Sequence, residues 1–331
     1  MRKFGSNLLV LGVAIGLGLG FAAAPKAANA AWEPKKPIEF VIMAGKGGGA
    51  DKMARFMQTI VEKHKLSSKP LTPVNKGGGS GAEALVHLKQ KGESNDADHT
   101  IMVTLNSFYT TPLRQPGLGV NVLAFTPVAR MAEDTFLLWV HKDSGIKTLD
   151  EFVKAAKAKG SNWIMAGTGK LQEDQLLTDF LNAEYGLKMK YVPFKGGGAV
   201  AKQLAGKHAD STVNNPSETE GFYKAGTVVP LAAFTPTRLG MFPNTPTFKE
   251  LGKDYSYFMQ RSVVGAPGMS KEAAAYYQAL FNKVFASSEW QGYRKKNSLQ
   301  GEYLTGQPLV DYWTKFNEVH RTMLVKMGAI K

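Results

Sequence analysis

The stretch Ile38-Glu39-Phe40-Val41-Ile42-Met43-Ala44-Gly45-Lys46-Gly47-Gly48-Gly49-Ala50-Asp51 decides the fold. Its first six residues are a short apolar run and read as a buried strand. The run stops at a loop of four glycines and one lysine. Beyond it Met53, Phe56, Met57, Ile60 and Val61 recur at three and four residues, the spacing of a helix with one apolar face. A strand that enters a helix through a glycine loop is half of a βαβ unit, and the same order recurs along the chain. Leu71–Val74 runs through Lys76–Gly79 into a helix over 81–91, with Ala84, Leu85 and Leu88 inward. Trp163–Ala166 runs through Gly167-Thr168-Gly169 into a helix over 172–185, and Lys190–Pro193 through Lys195–Gly198 into another from Val200. Strands are also expected at 101–105, 136–141, 209–214 and 228–234, and helices at 149–158, 271–286 and 309–327. Such alternation implies parallel sheets with helical crossovers. One set ends near residue 130 and a second spans 136–235, so two α/β domains joined by short hinges are expected.

Lys-Gly-Gly-Gly therefore occurs three times, each time between a strand and a helix. In parallel α/β sheets such loops lie at the carboxyl ends of the strands, where ligands bind. Glycines allow close backbone approach, and the helix start offers free N–H groups to an anion. The bland alternative is that the glycines only make tight turns. The loops are not nucleotide motifs: no Walker sequence is present, and no G-x-G-x-x-G opens a helix with a well-placed acid. Asp51 stands at a helix start, where it can cap backbone N–H groups or meet a ligand directly. Glu173 and Asp174 fall in another first helical turn, as caps or as acceptors of a ligand donor. Phe108, Tyr109 and Phe194 follow strand ends and are candidates for pocket walls or for core.

The 331 residues contain no cysteine, which removes disulfides and thiolate chemistry. The formal charge of +14 alone would fit nucleic acid, an anionic surface or a small anion. Residues 1–30 narrow that choice. Arg2 and Lys3 precede the uncharged run Leu8–Ala24, which leads to Pro25, Lys26 and Ala28-Asn29-Ala30. This is the pattern of a cleaved secretory signal, with cleavage expected near Ala30. Its removal takes three positive charges and no acid, and export disfavours nucleic acid. The six histidines show no paired spacing, no G-x-S-x-G is present, and no acid pair argues for acid–base work. No catalytic residue, metal or cofactor is expected.

With these loops the chain resembles the periplasmic solute-binding receptors of tripartite tricarboxylate transporters. Lys46–Asp51 matches the family's Pro-Gly-Gly-Gly-Thr-Asp loop, and Lys76–Gly81 loosely matches its second glycine loop. Ala166–Gly169 matches an Ala-Gly-x-Gly segment, and Val192–Ala199 a Val-Pro-(Phe/Tyr)-Lys-Gly-x-x-x-Ala box. Pro243–Gly252 and Arg261–Gly268 match two later boxes. The resemblance implies an α/β periplasmic-binding-protein-like Venus flytrap: two parallel or mixed-sheet domains, helices on both faces and a ligand cleft between them. The expected division is a signal over 1–30, a first domain over 31–135, a second over 136–249, and a return to the first over 250–331.

The implied ligand is a small organic acid, a mono-, di- or tricarboxylate, held largely by loop backbone and waters. By matching position the ligand-binding residues would be Gly48, Gly49, Ala50, Asp51, Gly78, Gly79, Ser80, Gly81, Thr168, Gly169 and Asp174. Phe194 and Asn214 are expected nearby, and Lys46, Lys76 and Lys195 are candidates for attracting an anion. The implied partner is a membrane permease with one large and one small integral subunit, served by a monomeric receptor in the periplasm. Delivery to a sensory system and a secreted enzyme acting on a carboxylate are the alternatives. Two departures stand out: Lys46 replaces the family's usual proline and Ala50 its threonine.

Overall fold

The computed structural model describes residues 32–331; the expected signal over 1–30 lies outside the described residues. The founding strand β1 (Ile38–Ile42) lies in the interior of its sheet, and its apolar residues serve both faces. Phe40 and Ile42 enter one core and Val41 and Met43 the opposite one, as the two-residue period of a strand requires. Parallel neighbours flank it: β2 (Leu71–Asn75) and β3 (Thr100–Val103). Helices α1 (Gly49–Lys63) and α2 (Ala82–Gly92) make the crossovers, and α3 (Ser107–Arg114) follows β3. Two long strands complete this sheet, β4 (Thr126–Thr135) and β10 (Phe258–Gly265), in the order β2-β1-β3-β10-β4 with β10 antiparallel to both neighbours.

A second sheet repeats the plan. It contains β5 (Leu137–His141), β6 (Ile164–Thr168), β7 (Lys190–Phe194), β8 (Ser211–Thr212) and β9 (Val228–Ala233), in the order β7-β6-β8-β5-β9. Here β6 is parallel to β7 and β8, and β5 is antiparallel to β8 and β9. Its helices are α4 (Leu149–Lys159), α5 (Glu173–Tyr185), α6 (Gly197–Ala205) and α7 (Pro216–Lys224). The chain passes from β4 to β5 with only Phe136 between them and returns through β10. Two adjacent strands therefore join the lobes, an arrangement that favours hinge motion.

The C-terminal segment contributes α8 (Lys271–Ala286), α9 (Ser288–Lys296) and α10 (Gly306–Lys326). Tyr277, Phe281 and Trp290 fill the first lobe's core. Helix α10 serves both lobes: Leu309 and Trp313 pack with Val41 and Phe108, whereas Leu324 packs with Phe136 and Leu138. Phe108 and Tyr109 are fully buried core residues and do not wall a pocket.

Between those two contacts α10 carries His320, buried against Tyr109 and Tyr257. Its Nδ1 lies 2.7 Å from the Phe316 carbonyl and its Nε2 3.0 Å from the Tyr257 hydroxyl. Asn106 Nδ2 donates to that hydroxyl at 3.1 Å. Burial holds the imidazole neutral and lowers its pKa from 6.5 to about 4. The unfolded chain takes up this proton first, so stability is lost as pH falls from about 6.5 towards 4. At pH 4.5 the contribution is about 2–3 kcal/mol relative to pH 7. Burial raises the carboxyls of Asp134, Glu173 and Asp174, which act in the opposite sense. The expected result is therefore a difference. Urea melts at pH 7 and 4.5 should show His320→Gln losing about 2–3 kcal/mol less than the parent on acidification.

Candidate functional site

Between the lobes lies a cleft of about 550 Å³, formed where the glycine loops of both sheets meet. The loop after β1 and the loop after β7 touch backbone to backbone. A methyl group built on Gly198 would lie 2.9 Å from the Gly47 carbonyl, and one on Gly45 3.3 Å from the Lys195 carbonyl. Here the glycines do more than turn the chain, because a side chain at Gly198 would force the two loops apart. The starts of α1 and α6 thus face one space, each with first-turn N–H groups that have no acceptor within their own helix. Ser80 and Leu171 stand on facing loops and both have positive φ, +58° and +54°. Ser80 Oγ lies 3.5 Å from the Lys170 carbonyl across the cleft. Left-handed backbone at non-glycine residues is held strain, and such strain gathers at ligand sites.

The structure places Gly48, Gly49, Ala50, Gly78, Gly79, Ser80, Thr168, Gly169, Asp174 and Phe194 around this cleft. Asp51, Gly81 and Asn214 stand behind the lining. Asp51 Oδ2 accepts the Gly47 amide at 2.9 Å, and its Oδ1 accepts Arg55 Nε and Asn75 Nδ2 at 2.9 and 3.0 Å. Both oxygens are thus committed to shaping the first loop. Asn214 Nδ2 donates to the Gly197 carbonyl and to Glu218 Oε2. Asp174 Oδ2 accepts the Thr168 amide at 2.7 Å, and the Tyr191 hydroxyl lies within 2.9 Å of the Thr168 and Gly169 carbonyls. These contacts fix the shape of the third loop.

Two residues that the sequence reading passed over carry much of the site's charge. Arg261 of β10 is almost fully buried at the cleft wall. Its Nε donates to Asp134 Oδ2 at 3.0 Å, and Nη2 donates to the same oxygen and to Asn215 Oδ1. Nη1 makes no hydrogen bond within the protein among the described residues, and the side chain it ends lines the cleft. Glu218 of α7 reaches across the lobes, where its Oε1 accepts the Gly49 amide at 3.0 Å. A protein carboxylate thus already holds one N–H at the start of α1, the kind of contact a bound anion would make. Signals for these residues exist in the sequence. Asn215-Pro216-Ser217-Glu218 has the spacing of a capping box, and Arg261 is a lone cation in an apolar strand, which must be paired if buried.

The three lysines named as candidates for attracting an anion are placed differently relative to the cleft. Lys46 and Lys195 stand at its exposed rim, and Lys76 lies outside it, 3.9 Å from Glu83. The wall itself carries Glu173, Asp174 and Glu218 beside the paired Arg261. Burial raises the Asp174 carboxyl well above its usual range, with the Glu218 charge adding to it. Burial also raises Glu173, offset in part by its own amide and by Arg261. No histidine lines the cleft. Among the described residues no cluster of three or more metal-ligating side chains occurs.

Two mixed sheets, two crossing strands and an inter-lobe cleft lined by helix starts define a two-lobe solute-binding protein. Residues 61–284 match the family described as "Tripartite tricarboxylate transporter family receptor". The chain belongs to this family of periplasmic solute-binding receptors. It is 24% identical to a UPF0065 protein of Cupriavidus necator over 314 residues, 95% of this chain and 94% of the relative. Its fold is similar to a solved Rhodopseudomonas palustris protein with adipate, with a TM-score of 0.80 and 20% identity over 89% of this chain and 98% of the other. It is also similar to MatC of R. palustris with bound malate, with a TM-score of 0.77 and 20% identity over 88% and 99% of the two chains.

Proposed function

We propose that the protein captures a small organic carboxylate in the inter-lobe cleft and presents it, unreacted, to a membrane permease of one large and one small integral subunit. It does so as a periplasmic monomer after cleavage of residues 1–30. The observation that carries this reading is the convergence of the α1 and α6 starts with the unpaired Nη1 edge of Arg261 on one cleft. A carboxylate there meets oriented N–H groups and the free Nη1 of one guanidinium, the chemistry suited to it. Membership of the receptor family supports the transport role, and the malate and adipate in two proteins of the same fold support the class of ligand. Glu218 and the contacting glycine loops supply inter-lobe contacts that a ligand would strengthen by favouring the closed form.

A melting screen against mono-, di- and tricarboxylates tests the proposal. A true ligand at a hundred times its Kd stabilises the native state by about 2.7 kcal/mol and raises the melting temperature accordingly. If no organic acid raises it, the carboxylate reading fails.

A further inference from the structure

The cleft wall holds more buried acid than the protein itself neutralises. Glu173 opens α5, is almost completely buried and lines the cleft, yet its Oε1 has no hydrogen-bond partner. The adjacent Asp174 is equally buried and uses Oδ2 on the Thr168 amide. Arg261 is the one buried cation of the lining, and two of its three nitrogens are committed to Asp134 and Asn215. Arg114 lies outside the lining; its charge acts on Glu173, but its hydrogen bonds go to the Thr110 carbonyl and Thr111 Oγ1. Lys46 and Lys195 remain at the exposed rim.

A buried carboxylate without a partner is costly, and natural sites relieve it by a proton or by a cation. A ligand carrying carboxylates alone offers no donor to the unpartnered Glu173 Oε1. We infer that the bound acid also carries a cationic nitrogen, an ammonium that donates to Glu173 while the ligand carboxylate meets Arg261 and the helix starts. The ligand class is then an amino acid or another amine-bearing carboxylic acid. The inference rests on the carboxylate reading of the same cleft and adds a second recognition point to it. Glu173 is a specificity-determining residue on this view: it rejects acids of the same skeleton that lack the amine, because they leave a buried acceptor unmatched.

The test is calorimetric titration with matched pairs: alanine and propionate, aspartate and succinate, glutamate and glutarate, 2-aminoadipate and adipate. The expected result is one amine-bearing acid that binds at least tenfold tighter than its amine-free counterpart. Glu173→Gln should remove at least tenfold of that preference. Equal or tighter binding of the amine-free member by the unmodified protein overturns the inference and leaves the carboxylate reading standing. A preference that survives Glu173→Gln in a variant of unchanged melting temperature also overturns it. Absence of binding across all four pairs overturns the inference, and the carboxylate reading falls only if the wider screen of organic acids fails as well. The comparison on the unmodified protein needs no variant to fold.

Discussion

Asp134→Ala is expected to lower the free energy of unfolding by about 3–5 kcal/mol, because it strips a buried guanidinium of its counter-ion. Asp134 and Arg261 are both almost fully buried, on neighbouring strands β4 and β10, the two strands that join the lobes. Burial raises the Asp134 carboxyl, and the Arg261 charge pulls the other way. Removing the acid leaves Arg261 with Asn215 Oδ1 as its remaining side-chain acceptor, at the N-cap of α7 in the second lobe. The disturbance therefore falls on the lobe connection as well as on the core. Asp134→Asn keeps an acceptor oxygen and should recover part of the loss. Urea denaturation of the three proteins at pH 7 measures it; a loss under 1 kcal/mol for Asp134→Ala would mean the pair is not buried as described.

Gly198→Val should weaken ligand binding by about five- to a hundredfold while changing the melting of the ligand-free protein little. Gly198 lies in the first turn of α6, where a valine is conformationally acceptable in an isolated lobe. The new side chain meets its obstacle only across the cleft, at the Gly47 carbonyl 2.9 Å away. It is thus aimed at the closed form, which costs about 1–3 kcal/mol more to reach when an overpacked contact must be relieved. Gly221→Ala is the control, since a methyl group there meets nothing within 4 Å. Calorimetric titration of both variants separates the two cases. Equal affinity for Gly198→Val and the unmodified protein would show that the glycine loops do not meet in the bound state.

Much of this architecture was legible where strands are parallel and buried. The apolar run of β1, the glycine loop and the periodic face of α1 all follow from one local pattern each. Helix α8 coincides with the expected 271–286, because Ala273, Tyr277, Leu280, Phe281 and Val284 keep one buried stripe. Strand β4 was not legible. Its sequence TPVARMAEDT carries Arg130, Glu133 and Asp134, whose charges are met by one another and by Arg261, and such distant pairing leaves no mark in a hydrophobic pattern. Helix α9 buries only Trp290 and so shows no stripe. The strand expected over 209–214 shortens to β8, Ser211–Thr212, because Asp210 is drawn to Lys159 and the Ile164 amide, and Asn214 to Gly197 and Glu218.

The site divides in the same way. Its backbone half, the glycine loops and helix starts, could be read from spacing. Its charged half could be read only in part: Glu173 stood out as a possible acceptor of a ligand donor, whereas Glu218 looks like an ordinary acid in a first helical turn and only the tertiary fold brings it to the cleft. Net charge was a poor guide for a related reason: lysines stay at the solvated rim, whereas the acids that matter are few and buried.

The most direct measurement is calorimetric titration of the purified protein with the acids that raise its melting temperature, followed by recovery and NMR analysis of the bound molecule. The account predicts saturable binding of one equivalent of an organic acid, recovered chemically unchanged. Failure of every organic acid to bind, or recovery of a converted product, would contradict it.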